Sequence, residues 1–331
     1  MSRFSLILLV LALVATACGG GAGDTLTIYS GRSEDLVAPL IERFEQESGI
    51  DVAVRYGDSS ELAATLLEEG DNSPADVFFA QDPASLGTVA LAGLLEELPA
   101  RLLGLVPDRF SDNGARWVGV SGRVRVVVYD TSVVDPSTLP PTEDGFTDPS
   151  WKGRLAIAPA NGSFLAFVAA KVLLDGEDAT LTWLKAMADN SAPSYSKNSV
   201  IVAAVEDGEV DAGLVNHYYL FRLIAEQGGV VAANHFLTGG GAASLVMPSG
   251  VGIVAGSSRT DAAEAFVQFL LAPASQEYFA EVTFEYPLVA GTAAHPDLPP
   301  LDSLTTPEID LSNLASVLGL ATDLVAEAGL L

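Results

Sequence analysis

The chain has 331 residues, of which 43 are acidic and 16 are basic, so its formal net charge is −27. This balance excludes the basic stripe that is typical of nucleic-acid-binding proteins. A chain of this length exceeds what one hydrophobic core usually supports, so we expect two domains. One cysteine in the whole sequence excludes a disulfide within the chain.

The first 17 residues have the pattern of a secretory signal peptide. Arg3 precedes an apolar run at residues 4–15, which is shorter than the about 20 residues of a membrane-spanning helix. Cys18 follows at the position where lipoprotein processing attaches lipid, and residues 18–23 form a glycine-rich tether. We therefore expect an exported protein, either lipid-anchored on the outer face of the cytoplasmic membrane or periplasmic. Its contact with the membrane would be through this anchor alone.

Strand-like and helix-like segments alternate along the mature chain. Strands are predicted at residues 26–29, 50–56, 75–80, 117–130, 155–158 and 212–215. One helix is predicted to begin at Ser33 and to end at Gly49. Further helices are predicted at residues 62–69, 83–92, 164–174, 200–205, 218–225, 262–271 and 314–328. This alternation predicts an α/β fold with largely parallel sheets.

Two α/β domains on an exported chain indicate a solute-binding protein that closes on its ligand by hinge motion. Long strands that cross between the domains would form the hinge, and residues 123–130 and 245–254 are the candidates. We expect lobe 1 to contain residues 24–122 and 248–298. Lobe 2 would contain residues 123–247 and 299–331.

Two adjacent tyrosines, Tyr218 and Tyr219, are the most informative residues of the sequence. Phenol oxygens are hard donors, which suit a hard cation such as Fe(III). A metal ion lets a phenol with an unperturbed pKa of about 10 bind as phenolate near neutral pH. Without further context, such a pair is more often a packing feature with a solvated hydroxyl.

Several sequence blocks, taken in order, resemble the bacterial ferric-ion-binding proteins (bacterial transferrins) of ABC-type iron importers. The blocks are residues 26–33 (LTIYSGRS), 44–50 (FEQESGI), 68–79, 91–95, 121–130 (SGRVRVVVYD), 195–200, 216–219 and 285–288 (EYPL). The resemblance implies the type II periplasmic-binding-protein fold, in which two α/β lobes are joined by crossing hinge strands and enclose a ligand cleft. It also implies that Tyr218 and Tyr219 bind Fe(III).

The resemblance further implies a synergistic anion, such as carbonate, phosphate or citrate, which completes the metal site at a helix N-terminus. Backbone N–H groups at a helix start bind anions because they lack partners and the helix dipole is positive there. Arginine would support the anion by charge-assisted hydrogen bonds. The residues that this implies for the anion are Asn161, Gly162, Ser163, Asn198, Asn216 and Arg123.

Lobe 1 departs from the family pattern at both of its expected metal ligands. The family's His and Glu are replaced by Ser33 and Gln81, which are neutral and weakly basic. Glu34 and Asp82 are neighbouring carboxylates that could contact the metal, although capping of a helix start explains each equally well. His217 could bind too, but a supporting or exposed position suits it better. The loss of two ligands leaves room for a chelate such as ferric citrate.

We therefore expect a monomeric extracytoplasmic lipoprotein that captures Fe(III) and delivers it to an ABC permease. The alternative is a protein of the same fold that binds an organic or anionic solute, of the phosphonate, polyamine or thiamine type. The neutral Ser33 and Gln81 keep this alternative open. We do not expect an enzyme, because the three histidines have no hydrolase or metalloprotease spacing, and no nucleophile elbow or Walker loop is present.

Overall fold

The computed structural model describes residues 25–331, so the predicted signal peptide, Cys18 and the tether lie outside the described residues. The strands are β1 (Leu26–Ser30), β2 (Val52–Tyr56), β3 (Val77–Ala80), β4 (Val118–Asp130), β5 (Leu155–Ala156), β6 (Ala212–Asn216), β7 (Ala232–His235), β8 (Val246–Ile253) and β9 (Tyr286–Pro287). The helices are α1 (Glu34–Ser48), α2 (Ser59–Glu69), α3 (Pro83–Leu91), α4 (Ala100–Leu103), α5 (Gly162–Asp175), α6 (Glu177–Asp189), α7 (Asn198–Glu206), α8 (Tyr218–Gln227), α9 (Thr260–Leu270), α10 (Pro273–Glu281) and α11 (Leu314–Glu327). This element order confirms the α/β class.

Several helix ends follow from local chemistry. The α1 helix ends at Gly49, whose φ of 72° suits glycine and whose N–H donates to the Glu45 carbonyl. The α2 helix begins after Asp58, whose carboxylate accepts the Ser60 N–H. The α5 helix begins after Asn161, which caps it through the N–H of Ser163. These short-range signals are why the sequence pattern predicted these three helices.

The expectation of largely parallel sheets is wrong for the middle of the molecule. β1 pairs in parallel with β2 and β3, and β5 pairs in parallel with β6. However, β8 is antiparallel to β3 and β4, and β4 is also antiparallel to β6, β7 and β9. The pattern misled because β4 is buried along its whole length, and a continuous apolar run indicates coverage on both faces rather than strand direction.

The long strand β4 belongs to two sheet regions in succession. Its residues from Val118 to Val124 pair with β8, whereas those from Arg125 to Tyr129 pair with β6. Ser121 and Gly122 lie inside β4 and do not interrupt it, although the register with β8 shifts between Gly119 and Ser121. This single strand therefore connects the β1–β3 region of the fold to the β5–β7 region.

Helix α11 near the C-terminus packs against both regions, since it contacts α3 on one side and α5 and α6 on the other. Among the described helices, none combines the length and the apolar composition that crossing a membrane requires.

Candidate metal centre

The carboxyl ends of parallel strands from both regions of the fold meet at one cleft. On one wall, Ser33 follows the end of β1, Asp58 follows β2 and Gln81 follows β3. On the other wall, Asn161 follows β5 and Tyr219 follows β6. All five residues line a cavity of about 710 Å³. This edge of an α/β sheet is where ligands usually bind.

The two tyrosines lie on the first turn of α8, directly after β6. Their rings stack with centroids 4.2 Å apart, Tyr218 being buried and Tyr219 partly exposed toward the cavity. Burial raises the pKa of Tyr218 well above 10.0, and nearby Tyr219 raises it further, so the ligand-free phenol is neutral. Its hydroxyl makes no hydrogen bond within residues 25–331. A cation bound at this oxygen would supply the stabilisation that its phenolate lacks.

His217 fixes the position of the tyrosine pair instead of facing the cavity. It is fully buried, its Nδ1 accepts the Val124 N–H at 3.1 Å, and its Nε2 lies 2.8 Å from the Phe284 carbonyl. This pattern assigns the ring proton to Nε2. Burial lowers the pKa of His217 to about 4, so the ring is neutral. Both ring nitrogens of His217 therefore have hydrogen-bond partners. The burial of the ring excludes the exposed position that the sequence left open.

Two buried arginines and one buried carboxylate lie beside Tyr218. Arg32 Nη2 is 2.6 Å from Glu285 Oε2, which also accepts the hydroxyl of Thr283 at 2.9 Å. Arg123 is 1% exposed, its Nε is 4.0 Å from Glu285 Oε1, and none of its guanidinium nitrogens has a hydrogen-bond partner among the described residues. Both arginine charges lower the pKa of Tyr218, against the effect of burial. The cluster thus holds an excess of positive charge that favours an anionic phenolate.

A polar network surrounds the start of α5. The side-chain oxygen of Asn161, Oδ1, accepts the N–H and the hydroxyl of Ser163 at 3.1 and 2.7 Å. Asn198 donates its side-chain amide to Asn161 and Ser163, while its Oδ1 is buried without a partner in the described structure. Arg125 donates to the Ser163 carbonyl at 2.6 Å, and burial lowers the pKa of Arg125 to about 9. The structure thus brings together Asn161, Ser163 and Asn198, three of the residues proposed for the anion.

Arg123 and Asn216 border a second, much smaller space behind this network. A cavity of about 20 Å³ lies between Asp82, Arg123, Arg125, Ser163 and Asn216, together with four apolar neighbours. It has room for a single water molecule. Neither Arg123 nor Asn216 lines the large cleft, and the same holds for Tyr218 and Ser163. Of the tyrosine pair, Tyr219 is the member that lines it.

The candidate contacts of lobe 1 divide into two groups. Ser33 and Gln81 line the large cavity, whereas Glu34 is exposed and does not line it. Asp82 is buried and caps α3. Its two oxygens accept the N–H and the hydroxyl of Ser85 at 2.8 and 3.1 Å. No group of three or more His, Cys, Asp or Glu side chains within residues 25–331 has the arrangement of a metal site.

Sequence reasoning missed Arg32, Arg125, Asp58 and Glu285. Arg32 and Glu285 both occur in blocks that carried the family resemblance, but their pairing spans 253 positions and leaves no local pattern. Asp58 could have been found from its place directly after β2, at the same sheet edge as Ser33 and Gln81.

We predict that Asp82 acts as a helix cap. Replacement by Ala should lower the free energy of unfolding by about 0.5–2 kcal/mol, because the Ser85 N–H at the start of α3 loses its partner. Replacement by Asn should retain most of the stability, since Asn is an equally good cap. Urea denaturation of the two variants measures both effects. Equal stability of the Ala variant and the parent chain would contradict the capping role.

Comparisons with known proteins agree with this architecture. The family described as bacterial extracellular solute-binding protein matches residues 39–302. The major ferric iron-binding protein of Neisseria meningitidis serogroup B is 35% identical over 97% of this chain and 97% of its own length. The Fe(3+)-binding periplasmic protein of Serratia marcescens is 35% identical over 98% of this chain and 95% of its own length.

Solved structures of similar proteins share the whole fold. Iron-bound HitA from Pseudomonas aeruginosa superposes with a TM-score of 0.88 at 32% identity, covering 92% of this chain and 99% of that chain. The Trichodesmium protein IdiA (FutA), in complex with iron and citrate, superposes with a TM-score of 0.81 at 28% identity. That match covers 93% of this chain and 100% of the Trichodesmium chain.

Proposed function

Since this chain belongs to the bacterial extracellular solute-binding proteins, and among them to the ferric-ion-binding proteins, we propose that it captures Fe(III) outside the cytoplasm and delivers it to an ABC permease. The family consists of binding proteins, not enzymes. In this proposal Cys18 carries the lipid that holds the protein on the outer face of the cytoplasmic membrane, and the protein acts as a monomer.

The observation that carries the proposal is the stacked pair of Tyr218 and Tyr219 at the cleft. The two phenols are adjacent on the first turn of α8, so both oxygens can reach one ion. The excess positive charge of Arg32 and Arg123 favours the phenolate form of Tyr218. Phenolate oxygens prefer a hard, highly charged cation, and Fe(III) satisfies this preference better than a divalent ion.

An anion at the start of α5 would complete the site. The N–H of Gly162, the first residue of α5, has no hydrogen-bond partner within residues 25–331, and α7 begins at Asn198 with no side-chain cap. Two helix N-termini with free donors favour carbonate, phosphate or a citrate carboxylate. The cavity of about 710 Å³ also has room for iron bound as a chelate.

Closure of the cleft would follow from binding across both walls. We assign residues 24–122 and 248–298 to lobe 1 and residues 123–247 and 299–331 to lobe 2, with β4 and β8 as the hinge. Asp35 of α1 forms an ion pair with Arg222 of α8 across the cleft. Iron stabilises the closed form by the amount by which it binds that form more tightly than the open one.

A visible absorption titration with a ferric chelate, at controlled anion concentration, tests the function. Binding through the tyrosine pair should produce a saturable phenolate-to-iron charge-transfer band. If no band forms with carbonate, phosphate or citrate, the proposed ferric function is wrong and an organic or anionic solute becomes the better interpretation. A thermal-shift screen would then detect the solute, because a tight ligand raises stability by mass action.

A further inference from the structure

Asp58 is a carboxylate of the cleft wall whose second oxygen is not used by the fold. It follows β2 and caps α2, since its Oδ1 accepts the N–H and the hydroxyl of Ser60 at 2.9 and 2.7 Å. Its Oδ2 makes no hydrogen bond within the described chain. Asp135 caps a short turn through Ser137 with the same geometry but does not line the cleft. Capping alone therefore needs only one oxygen.

The carboxylate of Asp58 reaches across the cleft to the start of α5. A Cβ atom placed on Gly162 would lie 3.9 Å from Oδ1 and 4.0 Å from Oδ2 of Asp58. The residue thus faces the helix N-terminus of the opposite wall, where the helix dipole is positive. An exogenous anion at this turn would meet a like charge unless a cation lay between the two.

A second observation at the same turn also indicates a ligand. The Oδ1 atom of Asn198 is buried and has no hydrogen-bond partner among residues 25–331, although the amide nitrogen of the same side chain contacts Asn161 and Ser163. A buried acceptor without a partner is costly unless something fills the place beside it. Asn198 does not itself line the large cavity, so a water molecule at the α5 turn would link this acceptor to a metal ion there.

Asp58 is the most suitable of the carboxylates that line the large cavity, which are Asp35, Asp58 and Glu226. Asp35 is already paired with Arg222. Glu226 lies in the last turn of α8, about 11 Å along the helix axis from the tyrosine pair at a rise of 1.5 Å per residue. Asp58 is the one that faces the α5 turn.

We propose that Asp58 is the lobe 1 carboxylate ligand of the ferric ion, in place of the neutral Ser33 and Gln81. The proposal rests on the ferric function proposed above. Two phenolates leave one positive charge of Fe(III) uncompensated, and the carboxylate of Asp58 would neutralise it together with the anion proposed at the α5 turn. Asp58 and Tyr219 line the same cavity, so one ion there would contact both of them.

The test compares Asp58→Asn with Asp135→Asn in the purified protein. Asn is an equally good helix cap, so both variants should fold with unchanged stability. Ferric affinity is measured by competition with nitrilotriacetate, using the charge-transfer band as the signal. We expect Asp58→Asn to bind iron at least about tenfold more weakly, as loss of even a supporting residue around a metal lowers affinity by about 10–100-fold. We expect its band to move to longer wavelength, because iron with fewer anionic donors attracts phenolate electrons more strongly.

Three outcomes decide the proposal. Weaker binding with a shifted band in Asp58→Asn alone supports it. Unchanged affinity in Asp58→Asn, or weaker binding with an unshifted band, would overturn it while leaving the ferric function standing. The absence of any band in the parent protein would instead overturn the ferric function, and this proposal with it.

Discussion

Replacement of both Tyr218 and Tyr219 by Phe is expected to abolish the charge-transfer band and to reduce ferric affinity by at least about a thousandfold, or about 4 kcal/mol. The band requires phenolate oxygens, and the double variant has none at the site. Ser33 and Gln81 are neutral and do not replace anionic donors for a hard trivalent cation, and Asp58 supplies only one carboxylate in place of two phenolates. The measurement is the ferric titration in the visible range, with competition against a chelator for the affinity.

The double variant should fold normally, which makes its loss of binding interpretable. Phe preserves the stacked rings, whose centroids are 4.2 Å apart, and the Tyr218 hydroxyl makes no hydrogen bond to the described residues. Tyr56→Phe is a matched control, because Tyr56 lines the same cavity without belonging to the pair. The control should retain full affinity. Full affinity in the double variant would refute the tyrosine site.

Features with a local cause could be predicted from the sequence. The caps at Asn161 and Asp82 involve partners two or three positions away, and the positive φ of Gly49 follows from the helix that it ends. The resemblance of several ordered blocks then located the tyrosine pair and the α5 turn. These predictions required no knowledge of how distant segments meet.

Features that depend on distant segments could not be predicted. The antiparallel pairing of β8 with β3 and β4 follows from how the chain returns across the molecule. The composition of an apolar strand does not show whether it pairs in parallel or antiparallel. Helices α6 and α10 and strand β7 were missed as well. The α10 helix begins with Pro273, which favours a first turn but also occurs in loops, and β7 has four residues.

The buried charges were missed for the same reason. Arg123 was expected to support the anion directly, but it lies beneath Tyr218 with Arg32 and Glu285. Arginine is normally a surface residue, and nothing in its sequence neighbours distinguishes a buried one. The ion pair that marks Arg32 as buried joins residues 32 and 285, which are far apart in the sequence.

Replacement of Glu285 by Ala is expected to lower the free energy of unfolding by about 3–5 kcal/mol. The variant leaves the guanidinium of Arg32 buried without its carboxylate partner, whose oxygen is 2.6 Å away, and it removes the carboxylate nearest to Arg123. An unpaired charge in a buried site loses its hydration without compensation. Urea denaturation, followed by circular dichroism, measures the change.

The matched control is Glu327→Ala, which breaks an exposed pair with Lys185 at the surface. Screening by water limits that change to about 0–1 kcal/mol. A loss below about 1 kcal/mol for Glu285→Ala would contradict the buried ion pair.

A third variant separates stability from function at this cluster. Combining Arg32→Met with Glu285→Leu replaces the pair by apolar side chains, and such replacements are often neutral or stabilising because neither charge of the pair remains to be desolvated. Arg123 still loses its nearest carboxylate in this variant. The variant should therefore be more stable than Glu285→Ala. It should nevertheless bind Fe(III) more weakly than the parent protein, because the charge of Arg32, which lowers the pKa of Tyr218, acts on it more strongly than the opposing charge of Glu285. Recovered stability with reduced ferric affinity would mean that the buried arginine serves the metal site rather than the fold.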